Sequence, residues 1–266
     1  MTTPIPKTLV ISSTVASSRV GASAASFCLQ RLGIETVVLP TTLMGRHPGW
    51  GAPGGGAVDA ARLRDVWEGV KAQDLHFDAV LTGYMGDTEH VALCEEIIGH
   101  VFAKNPDAII AVDPVMGDHG RLYIPEARAA AIIERLVPLA NFITPNLWER
   151  DYIQNHRDVL PARLITSYPN GEDIGARWEE PVGDGITAFQ VSHPKFTSVP
   201  HGGGDSLAAL FLGRRLLGQS PRQALAASVS SVYEIMRAAD ALDAGELPLI
   251  RMQAFITDAL PLHVTS

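Results

Sequence analysis

Short runs of β-branched and apolar residues alternate along this chain with stretches whose apolar positions recur at helical spacing. Thr8-Leu9-Val10-Ile11-Ser12 predicts a strand, and Ala22 to Leu32 a helix that Gly33 ends. Thr36-Val37-Val38-Leu39 reads as the next strand, Val58 to Lys71 as a helix, and Ala79-Val80-Leu81-Thr82 as a strand stopped by Gly83. Thr88 and Glu89 open a helix through about Ala103, followed by the strand Ala108 to Val112, a helix from Glu126 to Leu136 and the strand Phe142-Ile143-Thr144. Alternation at this spacing builds βαβ units, so the expectation is an α/β fold with a largely parallel sheet and helices on both faces. Functional groups then gather at the carboxyl ends of the strands.

After Glu149 the rhythm changes. Arg163 to Ser167 predicts a strand, and Ile174 to Trp178 and Ile186 to Val191 a hairpin across Gly183-Asp184-Gly185. The last third reads as three helices: Asp205 to Leu217, Pro221 to about Ala239, and about Pro248 to Ala259. Arg46 to Gly56 is rich in Gly and Pro and is the segment expected to act as a flap. With no repeat and no linker in view, residues 1–266 are expected to form one domain.

Composition narrows the partners. The 266 residues are 46% hydrophobic, enough for a substantial core, and carry a formal net charge of -8 with no Lys/Arg run. That balance excludes a nucleic-acid or acidic-membrane surface, and an anionic ligand would have to be held by local dipoles and a metal. Cys28 and Cys94 lie in apolar helical patterns and read as buried thiols. The N-terminal residues lack a signal-like apolar run and no run reaches membrane-spanning length, so a cytoplasmic protein is expected. None of the histidines has metal-ligand spacing, which argues against zinc.

The candidate chemistry centres on Pro200-His201-Gly202-Gly203-Gly204-Asp205-Ser206, followed directly by an apolar helical run. Three glycines let backbone N–H groups approach a ligand, and the helix aims its positive end at the same spot. Asp205 adds a carboxylate there, the pairing that deprotonation of an alcohol during phosphoryl transfer requires. A glycine turn with an Asp at a helix start reads the same way in sequence, so the motif gains force only from its company. That company is Asp113-Pro114-Val115-Met116-Gly117-Asp118, Thr144-Pro145-Asn146-Leu147-Trp148-Glu149, Thr82-Gly83-Tyr84-Met85-Gly86, and Ser13-Thr14-Val15 with Arg19-Val20-Gly21. Each follows a predicted strand, where Asp113 also serves to end a strand, Glu149 to favour a helix dipole, Ser13 to cap a turn and Tyr84 to cover the core.

In this order and spacing the motifs resemble the ribokinase-like superfamily, most closely its pyridoxal kinase family, over about Leu9 to Ala239. The Leu29-Gln30-Arg31-Leu32-Gly33 stretch, the His47-Pro48-Gly49-Trp50-Gly51 loop and Val232-Tyr233-Glu234-Ile235-Met236 favour that family over the hydroxymethylpyrimidine kinases, which share the other motifs in kind. The resemblance implies a three-layer α-β-α fold and ATP-dependent phosphorylation of the 5′-hydroxyl of pyridoxal, with pyridoxine and pyridoxamine as further acceptors. It implies ATP and Mg2+, with a monovalent cation as a further candidate, and a homodimer. Asp205 would be the base, with the N–H groups of Gly202, Gly203 and Gly204 stabilising the transferring phosphoryl. Ser13 would meet the pyridine ring, with His47 and Tyr84 near the same pocket. Asp113 and Glu149 would hold magnesium, largely through waters, and Asn146 would face the phosphates. Thr144, Thr166, Ser167 and Ser198, Val199, Pro200 and His201 would contact ATP.

Three departures from the pattern qualify this. Glu149 to Asp205 is short, so either a helix is lost before the strand at Leu164 or residues are missing there, and a loss would leave one sheet face less covered. Ala22 stands where relatives commonly have Asn. Gly203 replaces the more usual Thr, Ala or Val, which makes the turn more flexible and its ordering on phosphate costlier. A hydroxymethylpyrimidine kinase and a weakly catalytic vitamer-binding protein remain alternatives. A dinucleotide oxidoreductase is disfavoured, because Gly-x-Gly-x-x-Gly does not follow the first strand.

Overall fold

The computed structural model describes residues 4–198 and 200–265. In chain order its elements are β1 (Lys7–Val15), α1 (Gly21–Arg31), β2 (Glu35–Met44), β3 (Gly55–Ala57), α2 (Ala60–Lys71), β4 (Ala79–Thr82) and α3 (Thr88–Lys104). There follow β5 (Ile109–Val112), the two-residue strands β6 (Gly117–Asp118) and β7 (Arg121–Leu122), α4 (Glu126–Ala131), β8 (Phe142–Ile143) and α5 (Leu147–His156). The chain ends with β9 (Ala162–Asn170), β10 (Asp173–Val182), β11 (Gly185–Pro194), α6 (Gly203–Leu216), α7 (Pro221–Ala241) and α8 (Ala254–Asp258).

One nine-stranded sheet runs in the order β11-β10-β9-β8-β5-β4-β1-β2-β3. The six strands from β9 to β2 are parallel, and β10, β11 and β3 are antiparallel additions. Strand parity divides the apolar side chains between two cores. Leu9, Ile11 and Val80 pack toward α2, α3 and α4, whereas Val10, Ala79 and Leu81 pack toward α1, α6 and α7. Because β1 lies between β2 and β4, successive connections leave it in opposite directions, and the carboxyl ends of β1 and β4 flank a topological switch point.

Local corrections to the predicted elements have physical causes. The helix expected from Glu126 changes to a π-helical turn at Ile132–Leu136 and is stopped by a 3-10 turn containing Pro138. The last predicted helix, about Pro248 to Ala259, shrinks to Ala254–Asp258, with residues 249–253 forming turns instead. β2 extends to Met44 and β3 pairs back on it, so the segment expected as a flap is the tip of a β-excursion.

Among the described residues no helix stands between α5 and β9. The face of β9 and β10 that faces α5 is instead polar. Cross-strand partners Arg163 and Glu179 are both buried, and Glu179 accepts from Arg163 at 2.7 Å and from Arg177 at 3.0 Å, with Arg150 of α5 3.9 Å away. Burial pushes the Glu179 carboxyl up, but the guanidiniums of Arg177 and Arg163 outweigh it and leave it below its ordinary value. An ionic mesh thus covers the sheet where an apolar helix is absent. Replacing Glu179 by Ala leaves buried guanidinium charge uncompensated, and should cost about 3–5 kcal/mol in urea unfolding. A change under 1 kcal/mol would show that the mesh behaves as a solvated surface cluster.

Candidate active site

Strand ends and one helix start deliver the polar groups to a single region. Ser12 ends the regular part of β1, Thr82 and Gly83 end β4, Asp113 follows β5, Thr144 and Asn146 follow β8, and Thr166 lies in β9. Asp205 occupies the first turn of α6. Gly202 precedes that helix at φ +100°, a backbone conformation that a side chain strains, and a Cβ there would collide with the Arg19 carbonyl oxygen. Gly21, the first residue of α1, has φ +55° and lies against Ser13. Its N–H faces the Asp205 carboxylate, so two helix N-termini meet at one acidic side chain.

Asp205 does not point into bulk solvent. It lines a cavity of about 150 Å³ together with Asp113, Tyr123, Thr144 and Glu149. On its other side it borders a recess of only about 10 Å³ at the switch point, with Ser12, Thr82 and Asp113. The hydroxyls of Ser12 and Thr82 are buried there without a hydrogen-bond partner among the described residues. Thr166 and Gly204 are shared with a third cavity of about 240 Å³. Its wall is apolar, made by Leu207, Val229, Val232 and Met236 with Phe196 and Ile174 opposite.

The carboxylates shift one another. Burial raises Asp113 well above its ordinary value, Glu149 and Asp205 add to this, and the Thr144 hydroxyl pulls the other way. Burial likewise raises Asp205, opposed by the Gly21 N–H, its own N–H and His201. Burial pushes Glu149 up to about 7 against three backbone N–H donors.

Those donors define what Glu149 does in the fold. One oxygen accepts from Met116 N at 2.7 Å and Gly117 N at 3.3 Å, and the other from Asn146 N at 2.9 Å. Asn146 caps α5 by accepting from Glu149 N at 2.9 Å and donates through Nδ2 to the Gly117 carbonyl at 2.8 Å. This clamp also holds Val115 at φ +32°, a strained conformation for a β-branched residue, beside Asp113 and in the same cavity.

Residues 56–162 match the family model described as phosphomethylpyrimidine kinase. The chain is 34% identical over 265 residues to a pyridoxal kinase of Rubrobacter xylanophilus, covering 92% of this chain and 91% of that one. To a pyridoxal kinase of Leifsonia xyli it is 32% identical over 270 residues, covering 94% and 95%. The chain belongs to the pyridoxal kinase family. The structure of a Leishmania donovani pyridoxal kinase in complex with ADP and pyridoxamine superposes at TM-score 0.90 over 97% of this chain and 98% of that one, at 22% identity. The fold is therefore ribokinase-like, as the motifs implied.

In this pyridoxal kinase family member the expected residues distribute unevenly. Asp113, Thr144, Asn146, Glu149, Thr166, Gly204 and Asp205 share one cavity, and Thr166 and Ser167 enter the apolar one. Asn146 and Glu149 are engaged with each other and with backbone, the helix-start role that the sequence left open for Glu149. Ser13 is buried at the end of β1 against Gly21, and the Tyr84 hydroxyl lies 3.4 Å from Arg128. His47 stacks on His201 with ring centroids 4.3 Å apart, which ties the excursion tip to the glycine turn. Ser198, Pro200 and His201 are not among the residues lining the apolar cavity; His193, Lys195 and Phe196 stand there instead. Val199 lies outside the described residues.

Ser12, Gly21, Val115 and Met236 lie in quoted segments of the sequence but carried no assigned role there. Only Gly21, directly before an apolar helical run, carried a signal. Gly203 is explained by Met236, whose methyl group sits where a Cβ at 203 would be, so the turn is filled from α7 rather than left loose. Gly204 has open space at its Cβ position and borders both cavities. Gly202→Ala should therefore lower stability by about 1–3 kcal/mol, whereas Gly204→Ala should melt like the parent and lower kcat/KM for ATP by about tenfold or more. Thermal melts and steady-state kinetics on the two variants separate these outcomes, and equal behaviour of the pair would contradict the assignment of their surroundings.

Proposed function

We propose that this protein transfers the γ-phosphoryl group of ATP to the 5′-hydroxyl of pyridoxal, with pyridoxine and pyridoxamine as further acceptors. The observation that carries the reading is the half-buried Asp205 carboxylate at the start of α6, facing a cavity that joins an apolar cleft through Gly204. In that reading the cleft of Val229, Val232 and Met236 receives the adenine ring, and the acceptor alcohol lies beside Asp205.

Asp205 takes the proton from the 5′-hydroxyl as that oxygen bonds to the γ-phosphorus and the bond to the β-phosphate oxygen breaks, releasing ADP. A carboxyl held above its ordinary range is a stronger proton acceptor once ionised, which suits a base. The N–H groups of the glycine turn, backed by the α6 dipole, meet the charge on the transferring group. Ser13, His47 and Tyr84 are proposed to contact the vitamer ring, and Thr144, Thr166 and Ser167 the nucleotide.

The carboxylate set fits magnesium of one kind. Among the described residues no group of three or more His, Cys, Asp or Glu side chains is arranged to ligate an ion. Magnesium prefers one or two carboxylates with retained waters and substrate phosphates, and Asp113 lies free in the cavity for that part. Glu149, with both oxygens already engaged, would act through water. The ion would neutralise developing phosphate charge. A homodimer in the cytoplasm accompanies this proposal.

Three measurements test it. Asp205→Asn should reduce kcat by about 10²–10⁴-fold while pyridoxal still binds; turnover within a few-fold of the parent would remove Asp205 as base. Because Glu149 is pushed up to about 7, Asp113 and Asp205 are raised too, and all three act ionised, kcat/KM should climb as pH rises through the neutral range. A profile already flat from pH 5 upward would contradict that sign. The family-model match makes hydroxymethylpyrimidine the alcohol to test beside pyridoxal, and its preferential depletion from an equimolar mixture would reassign the substrate.

A further inference from the structure

Glu246 lies in the segment after α7, far in sequence from every motif above, and its carboxylate reaches into the loop between β1 and α1. Its Oε2 accepts from the backbone N–H of Arg19 at 2.9 Å and from the Ser18 hydroxyl at 3.3 Å. Its Oε1 is buried with no hydrogen-bond partner among the described residues. Both bonds go to Oε2, so the grip on the loop is made by that one oxygen.

What that loop touches gives the contact its meaning. The Arg19 carbonyl lies against Gly202, the left-handed residue that starts α6, and the N–H of Gly21, two residues on, faces the Asp205 carboxylate. Leu247, next to Glu246 and itself buried, places its Cδ1 3.1 Å from where a Cβ at Gly202 would be. Glu246 therefore binds the N–H of the residue whose carbonyl meets Gly202, two residues before the N–H that faces the proposed base.

We propose that Glu246 is a positioning residue for phosphoryl transfer: by holding the Ser18–Arg19 backbone against Gly202, it sets the orientation of the glycine turn and of Asp205. It touches no substrate. Misplacement of a reacting group by about 1 Å costs on the order of 10²-fold in rate, so the effect belongs in kcat rather than in ground-state vitamer binding. For its kinetic readout the assignment rests on the kinase reading above, and it also carries a readout independent of turnover.

The test compares Glu246→Ala, Glu246→Gln and Glu246→Asp in the full chain. Glu246→Gln keeps an acceptor for Arg19 and Ser18 and should retain kcat within about threefold of the parent. Glu246→Ala should lose about 30-fold in kcat, with KM for pyridoxal changed less than threefold. Hydrogen exchange of the free proteins should rise in Glu246→Ala at peptides spanning residues 16–22 and also at 200–206. Increased exchange confined to 16–22, an unchanged kcat in Glu246→Ala, or an equal loss in Glu246→Gln would each overturn the proposal. If Glu246→Ala does not fold, Glu246→Asp, too short to reach both donors, carries the same expectations and the same refutations. A parent protein inactive toward every vitamer would overturn the kinase reading, and the exchange comparison would still decide whether Glu246 couples the loop to the turn.

Discussion

A carboxylate kept from bulk water, yet facing a cavity, is the constraint around which this molecule is arranged. Removing a carboxylate from solvent is unfavourable unless donors replace the water, and at Asp205 they come from backbone: the first amide of α1 and the first turn of α6. Both helices must therefore begin at the same point in space. That requirement makes glycines at 21 and 202 necessary, since each start has a left-handed residue pressed against another chain segment.

The remaining acidic groups are treated differently according to what surrounds them. Asp113 faces the cavity next to two other carboxylates and is pushed toward its neutral form. Glu149 lies nearby, but three backbone N–H groups and the Asn146 cap turn it into a clamp on the segment that holds Val115 in strain. Glu179, on a different part of the sheet, is held below its usual range by arginines and serves the fold. Three buried carboxylates of similar intrinsic acidity thus separate into a cavity group, a backbone clamp and a structural ion pair.

Function here lives at seams between elements that are distant in sequence. The switch point between β1 and β4 provides the recess, β5 and β8 provide acidic and hydroxyl groups, and α6 and α7 provide the turn and the apolar wall. Met236 filling the space above Gly203 illustrates the coupling: a change at one position is accommodated by a side chain from another helix. No segment of the chain alone contains the site.

Much of this was legible from the residues in order. Period-two and period-3.6 apolar patterns placed most strands and helices, because each element must bury one face, but not β3, β6, β7 or α5, and the strand-end motifs lie beside the cavities at the carboxyl ends of the strands. The patterns failed at 249–253, where turns replace a helix, and where a helix changes pitch ahead of Pro138. Residue types singled out Asp113 and Thr144 at strand ends and Asp205 at a helix start, and the three line one cavity. Only the tertiary structure decided that Glu149 and Asn146 hold each other, that Phe196 rather than Ser198 lines the apolar cleft, and that Glu246 grips the loop at Arg19. Those facts depend on distances between atoms far apart along the chain, and side-chain periodicity carries no information about such distances.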